Sequence, residues 1–320
     1  VTAVLIPTAS EAEWLEARRR GITASEIAIV MGLSPYGSPY ALYHSKLGNL
    51  PDPEDTGALE RGRVLEPYVA GKFAAAHPEF AVIGNGRELW THHVRPWQMA
   101  TPDRLLADGW PPGFEYGDAI EEFTPIAVLE TKTDAGSDEW GEPGTDEIPV
   151  HYRCQVLWQM DVMGVDVAYV ACLRVRDWKV REYIVQLDDD AQADLNLMRA
   201  EARDFLDRLD LGDEPDVDWR PATLDALKAL HPSVEDTTAE IGPQLAAWYE
   251  AAVRNSRHWE RRKKLYEAQM RKAAGSARRI VRKGPGQVPV ARRDVYDVRE
   301  SVRKPYTVDK FVATPPKEKK

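Results

Sequence analysis

The stretch that decides the fold is IAVLETKTDAG, residues 126–136. Four apolar residues run straight into Glu130 and Lys132, which stand two apart and so share one face of a strand. Two upstream stretches supply more acid. MATPDRLL (99–106) puts Asp103 behind Pro102, at or past the end of a strand, and ERGRVLEP (60–67) puts Glu66 on a helix. Three carboxylates arriving from a helix and two strands, with an ammonium beside them, suit a hard divalent cation, Mg²⁺ or Mn²⁺. A bound cation acidifies water and neutralises charge growing on a phosphoryl group, so phosphodiester hydrolysis fits the set. Taken alone, Glu-x-Lys would be a surface ion pair worth ~0–1 kcal/mol, Pro-Asp a turn, and a helical Glu a solvated charge. The order Glu…Pro-Asp…Glu-x-Lys carries the reading.

Composition narrows the classes. The chain has 320 residues, a net charge of -10 and a 43% hydrophobic share, which suits a soluble globular protein of one large domain with or without an appendage. No apolar run approaches the ~18 residues of a membrane span, and the first residues lack a basic, then apolar, signal-peptide pattern. A cytoplasmic protein without membrane contact is expected. Cys154 and Cys172 are the only cysteines, too few for an iron–sulfur cluster, which takes four ligands; both read as buried thiols. The adjacent His92 and His93 lack zinc spacing. Residues 251–320 hold 21 Lys/Arg against 7 Asp/Glu, leaving the remainder strongly acidic. That asymmetry fits either a basic appendage for a polyanion or a solvated basic helix.

Hydrophobic period and turn residues divide the chain. Helices are expected at 11–20, 26–31 and 59–77, with another inside 34–48. The period then shifts to strands at 81–83, 88–92, 98–106 and 126–132, with a loop at 107–124. A long loop at 134–149 precedes a helix at 150–163, strands at 167–173 and 180–186, and a long helix from Asp188 to Gly212. Residues 213–239 read as a linker with one short helix at 224–230. Beyond it, Ile241, Leu245, Trp248, Ala252, Trp259 and Tyr266 recur as a helix-packing seam, and a basic hairpin follows at 278–292 around Gly284-Pro-Gly286. The last residues, 315–320, read as a disordered tail. The division is thus a nuclease-like domain at 1–212, a linker at 213–239 and a basic helical and hairpin appendage at 240–320.

The order of motifs resembles the PD-(D/E)xK nuclease superfamily. Within it, the chain is similar to the YqaJ-like viral recombinase family, whose relative is lambda exonuclease. WLEARRRGITASEIA (14–28), GRVLEP (62–67), Pro102-Asp103, Glu130-Thr-Lys132 and HYRCQVLWQMDVMG (151–164) occur in the family's order and span roughly residues 10–210. The resemblance implies an α/β core, a short mixed sheet flanked by helices. It implies that Asp103, Glu130 and the Thr131 carbonyl hold Mg²⁺ or Mn²⁺, that Glu66 assists, and that Lys132 is the catalytic lysine. It places Gln155 and Tyr152 near the scissile phosphate, and Arg18, Ser25 and Thr101 around a 5′-terminal phosphate. Thr101 stands where the family pattern has Ser.

The implied activity is Mg²⁺-dependent exonuclease digestion of double-strand DNA ends, 5′→3′. It would leave 3′ single strands for a single-strand annealing protein in phage-type recombination, often from a ring-shaped homo-oligomer, and it implies a phage or prophage origin. Rival readings are a Cas4- or RecB-like nuclease, a structure-specific endonuclease, and a non-catalytic DNA-binding or phage assembly protein. Without the resemblance, Ser25 reads as a helix N-cap and Arg18 as a solvated helix charge.

Overall fold

A computed structural model describes residues 3–51, 56–110, 124–233, 236, 238–281 and 289–292. Its centre is a five-stranded mixed sheet in the order β3-β6-β7-β8-β9: Phe80–Ile83, Arg104–Asp108, Ala127–Asp134, Val167–Arg174 and Lys179–Gln186. The middle strand β7 pairs antiparallel with β6 and parallel with β8. A strand covered on both faces needs a continuous apolar run, and Ala127, Val128 and Leu129 are all buried. On one side Ala127 and Leu129 meet Val69 and Phe73 of helix α4 (Gly57–Ala76). On the other, Val128 joins the core built with α5 (Val150–Met163), which contributes Val156, Leu157, Trp158 and Met160. Glu130 shares the Val128 side and therefore faces α5.

A second sheet, in the order β1-β4-β5-β2, is made of Ala3–Ile6, Leu89–His92, Gln98–Ala100 and Ile22–Thr23. It corrects the single strand expected at 98–106. The chain leaves this sheet at Ala100, turns through Thr101-Pro102-Asp103, and enters the larger sheet as β6. Pro102 has no N–H for a ladder, so the turn falls there. Strand β1 went unread in the sequence. Helices α1 (Glu11–Arg19) and α2 (Ala24–Val30) flank β2. A side chain at Gly21 would set its Cβ 2.2 Å from the Trp97 carbonyl oxygen, so this crossing needs glycine. The half-buried Asp161 of α5 ties the layers together. It accepts hydrogen bonds from Arg95, from Gln98 of β5 at 2.5 Å, and from Arg199 of α6 (Asp189–Leu211) at 2.6 and 2.8 Å.

Helix α5 has the expected bounds and ends on Gly164 in the left-handed region; α6 starts after Asp188 and ends at Gly212. Residues expected as a linker belong in large part to the body, since the first compact unit runs Val1–Val234. Helix α7 (Pro221–Leu230) docks on α3 (Pro39–Lys46) through the buried Thr223–Ser38 hydroxyl pair at 2.8 Å, while Arg220 donates to the Gly32 carbonyl and Glu214 meets His44 at 2.7 Å. A short polar segment with one apolar face looks like a linker until its partner surface is known.

The second unit, Glu235–Lys320, carries the 32-residue helix α8 (Pro243–Ala274) and an antiparallel hairpin, β10 (Arg279–Val281) with β11 (Pro289–Arg292). The expected seam residues Ile241, Leu245, Trp248, Trp259 and Tyr266 are exposed. The hairpin turn at 284–286, the tail at 315–320 and most of the loop at 107–124 lie outside the described residues. Both cysteines are free and buried. No described helix is long and apolar enough to cross a membrane.

Candidate active site

Glu130 is 2% exposed, and each carboxylate oxygen has protein donors. Lys132 Nζ and Gln155 Nε2 donate to Oε1 at 2.5 and 2.6 Å, and Gln159 Nε2 donates to Oε2 at 2.7 Å. Lys132 also donates to Gln155 Oε1 at 3.1 Å, closing a triangle of three side chains. Its ammonium stands 4.6 Å from the centre of the Tyr152 ring. Strand β7 supplies two members and α5 supplies Tyr152, Gln155 and Gln159, spaced three and four apart so that they share one helix face. Asp103 Oδ2 accepts from both the backbone N–H and the hydroxyl of Thr131, each at 2.7 Å. The Arg104 guanidinium donates to Glu66 at 2.6 Å and to the Asp103 carbonyl.

The electrostatics are those of an acid surplus. Burial first, then the charge of Asp103, pushes the Glu130 carboxyl up to about 7. The same two causes raise Glu66. Burial alone would lower Lys132, but the carboxylates of Glu130 and Asp103 outweigh it, and its pKa is raised. Lys132 is therefore a charged donor in this arrangement.

A second polar cluster forms where α1 meets α2. Arg18 donates to Ser25 Oγ at 3.0 Å and Thr23 Oγ1 at 3.3 Å, and its guanidinium lies 4.3 Å from the centre of the Trp14 ring. Ser25 is not the N-cap: Thr23 is, with its backbone N–H bonded to Glu26 at 2.9 Å in a capping box. That leaves the Ser25 hydroxyl for Arg18. Lys46, buried, takes up Glu26 at 2.7 Å and the carbonyls of Arg18 and Gly21 at 2.8 and 2.6 Å. Thr101 lies two residues past Met99, the β5 partner of Thr23; no hydrogen bond joins it to Arg18 or Ser25 among the described residues.

Residues 13–166 match the profile of the YqaJ-like viral recombinase domain. This part of the chain is similar to the YqaJ-like viral recombinase family. The uncharacterized protein YqaJ of Bacillus subtilis (strain 168) is 28% identical over 235 residues, which cover 72% of this chain and 66% of that protein. Among solved structures, the alkaline exonuclease LHK-Exo from Laribacter hongkongensis is 20% identical, with 63% of this chain and 94% of that one covered at a TM-score of 0.45. A phage-related exonuclease from Haemophilus somnus 129PT is 12% identical, with 59% and 94% covered at a TM-score of 0.41.

Two features of this site bear on a metal. The donor chemistry fits a divalent cation: carboxylate oxygens, two of them on carboxyls whose pKa is raised by burial and then by the neighbouring Asp103, form a surplus of negative charge that a hard cation would relieve. The cage is not preassembled, since among the described residues no three acidic, His or Cys side chains converge into a cation site. Each carboxylate is held by a protein donor instead, and Thr131 engages Asp103 through its N–H and hydroxyl.

Several members of the site were not read in the sequence. Gln159 stands one turn past Gln155, and that spacing alone was a signal. Arg104 and Gly86 gave none. Gly86 has φ +77, and a Cβ there would lie 3.0 Å from Glu66 Oε1.

Proposed function

We propose that this chain is a metal-dependent deoxyribonuclease that digests DNA from double-strand ends, 5′→3′, leaving 3′ single strands for strand annealing. The buried Glu130, held in a triangle by the half-buried Lys132 and Gln155 beside Asp103, carries the reading, and the match to a YqaJ-like viral recombinase domain supports it. An ion pair with two glutamine clamps is costly to bury for stability alone; it makes sense where the acid must be held in one place for another task.

Glu66, Asp103, Glu130 and the Thr131 carbonyl are the oxygen donors that would hold Mg²⁺ or Mn²⁺, whose contribution is to neutralise phosphoryl charge and acidify water. Lys132 keeps its proton at Nζ while Glu130 is ionised and undivided, and so orients and stabilises an anion. It can accept a proton only when the Glu130 charge is shared elsewhere, because that charge is what raises its pKa. Gln155 fixes the relative position of both groups, and Tyr152 covers the ammonium. Arg18 and Ser25, a guanidinium and a hydroxyl at the start of α2, suit a terminal phosphate and give the reading its 5′ polarity.

The test uses linear duplex DNA with 5′-phosphate or 5′-hydroxyl ends, in Mg²⁺ or EDTA, beside Lys132→Ala. Loss of the 5′ strand only in Mg²⁺, faster with phosphate and absent in the variant, is expected. Cleavage of closed circular DNA would replace this reading with an endonuclease. Folded protein that cuts neither substrate would leave a DNA-binding or assembly role.

A further inference from the structure

The turn between β8 and β9, RVRDWKVR (174–181), carries four cations and one acid. Its last loop residue, Trp178, is the one described non-glycine residue with positive φ, at 56°. Hairpin loops put Gly or Asn in that conformation because a Cβ strains it. The strained residue here is a large aromatic, 53% exposed. Trp178 is not held by the core: its ring partner is Tyr68 on α4, 5.9 Å away and itself 37% exposed. Lys72 lies 5.5 Å from the Tyr68 ring centre. Strain kept at an exposed aromatic serves packing poorly and contact well.

Register connects this tip to the active site. Lys132 pairs with Cys172, and Cys172 with Arg181, so the three stand side by side across β7, β8 and β9. Two strand spacings put Arg181 on the order of 10 Å from Lys132, on the same face. One pair further along, Asp134, Arg174 and Lys179 form the next row. An open groove of about 780 Å³ follows the edge of β9, lined in part by Arg174, Lys179 and Arg181, and the buried Arg174 Nε there has no hydrogen-bond partner among the described residues. Of the nearby acids, Glu182 is taken by His77 at 2.8 Å and Asp134 Oδ1 by the N–H groups of Gly136 and Ser137, while Asp177 lies 3.8 Å from the Arg181 guanidinium and Glu142 lines the groove, so a phosphate at Arg181 would replace the Asp177 pairing.

We propose that the β8–β9 hairpin is a binding track for single-stranded DNA: Arg181, Arg174 and Lys179 hold successive phosphates leading away from Lys132, and Trp178 stacks on a base at the tip. This deepens the nuclease reading and rests on it for the choice of ligand. Cations in a row with an exposed aromatic at the end match the two needs of a single strand, charge neutralisation and a stacking face. An acidic peptide would use the cations and leave Trp178 without a role.

The experiment measures binding of the full chain to a fluorescein-labelled single-stranded oligonucleotide in EDTA, with Tm recorded for each variant. Trp178→Gly should weaken binding about tenfold while its Tm stays at or above wild type, because glycine relaxes the turn. Trp178→Phe should keep most of the affinity. Replacing Arg174, Lys179 and Arg181 together by Gln should reduce the slope of log K against log salt by about 2. Unchanged binding by Trp178→Gly, a lower Tm in that variant, or no binding by wild type would each overturn the track. A wild type that binds in this pattern but never cleaves in Mg²⁺ would sink the nuclease reading and leave the track standing.

Discussion

Two polar clusters lie within the same domain, and their charges are complementary opposites. Around Lys132, three carboxylates share one ammonium, and burial, then the charge of Asp103, raises both Glu130 and Glu66. Around Arg18, the one carboxylate nearby, Glu26, is already taken by Lys46, and the guanidinium faces hydroxyls and an indole. The first cluster sets three carboxylates against the Lys132 ammonium and the Arg104 guanidinium, and the second presents the Arg18 guanidinium to hydroxyls. A divalent metal and a terminal phosphate are what each would take, and one DNA end in Mg²⁺ brings both. If this pairing is right, changes at the first cluster should abolish chemistry, and changes at the second should alter only which ends are preferred.

The largest effect is expected from Lys132→Ala or Glu130→Gln. Each should lower Mg²⁺-dependent cleavage about a thousandfold, in the range of losing a positioned proton-handling group, with DNA binding in EDTA within about twofold of wild type. Gel-based cleavage and anisotropy on the same samples check both halves. Cleavage that survives Lys132→Ala would break the comparison at its root.

The clusters should also respond to pH with opposite signs. Glu130 is raised to about 7 in the folded chain, so its contribution to stability is complete below the ordinary carboxylate range and lost as pH rises through 7. Glu26 is lowered: burial opposes it, but Lys46 and Arg18 prevail. Its contribution is present above the ordinary range and lost as pH falls through the lowered value. Metal-free protein should therefore lose stability from about pH 4.5 to pH 7 through Glu130. Mg²⁺ at about 100 times its Kd should restore about 2.7 kcal/mol at pH 8 and little at pH 5, where the Glu130 carboxyl holds its proton. Thermal melts in EDTA and Mg²⁺ at both pH values decide this, and Glu130→Gln should abolish the Mg²⁺ response.

The first cluster was largely legible in the sequence because its members sit on regular elements with simple periods. Glu130 and Lys132 alternate on a strand, and Tyr152 and Gln155 share a helix face. The break at Pro102 was misread because residues 98–106 keep a strand's composition through a change of sheet, and only pairing partners reveal the change. Arg104 and Gly86 were invisible for a related reason: each matters through one contact with a residue distant in sequence, Glu66. At α8 the opposite happened. A clear apolar period was present, but a period records a face and not what covers it, and the seam residues are exposed. Residues 213–233 looked like a linker because their buried anchors, Pro215, Thr223 and Ala226, are few and scattered through a segment rich in Pro and Asp.

At the second cluster, Arg18→Ala and Ser25→Ala should each erase part of the preference for 5′-phosphate ends. A hydrogen bond to a charged group is worth ~1.5–3 kcal/mol, or about ten- to a hundredfold. Rates on 5′-hydroxyl ends should change little, and competition between the two substrates in one tube measures the ratio directly. An equal loss on both ends would mean that the cluster braces α1 and α2 and meets no phosphate.

The smallest effect tests whether the two clusters are mechanically separate. Gly86 touches only the first. Alanine there must adopt φ +77, and its Cβ would stand 3.0 Å from Glu66 Oε1 and 3.6 Å from the Arg104 guanidinium. The left-handed backbone and the displaced carboxylate together should cost about 1 kcal/mol of stability, read as a shift in urea midpoint. Because Glu66 would be pushed from Arg104 while Glu130, Lys132 and Gln155 keep their bonds to one another, activity should fall only modestly and recover at higher Mg²⁺. The phosphate-end preference should stay at the wild-type ratio, since the three atoms nearest that Cβ belong to Glu66, Arg104 and Asp103. A changed ratio would show that Glu66 and Arg18 are coupled through the turn at Thr101-Pro102-Asp103, and the two clusters would then have to be treated as one.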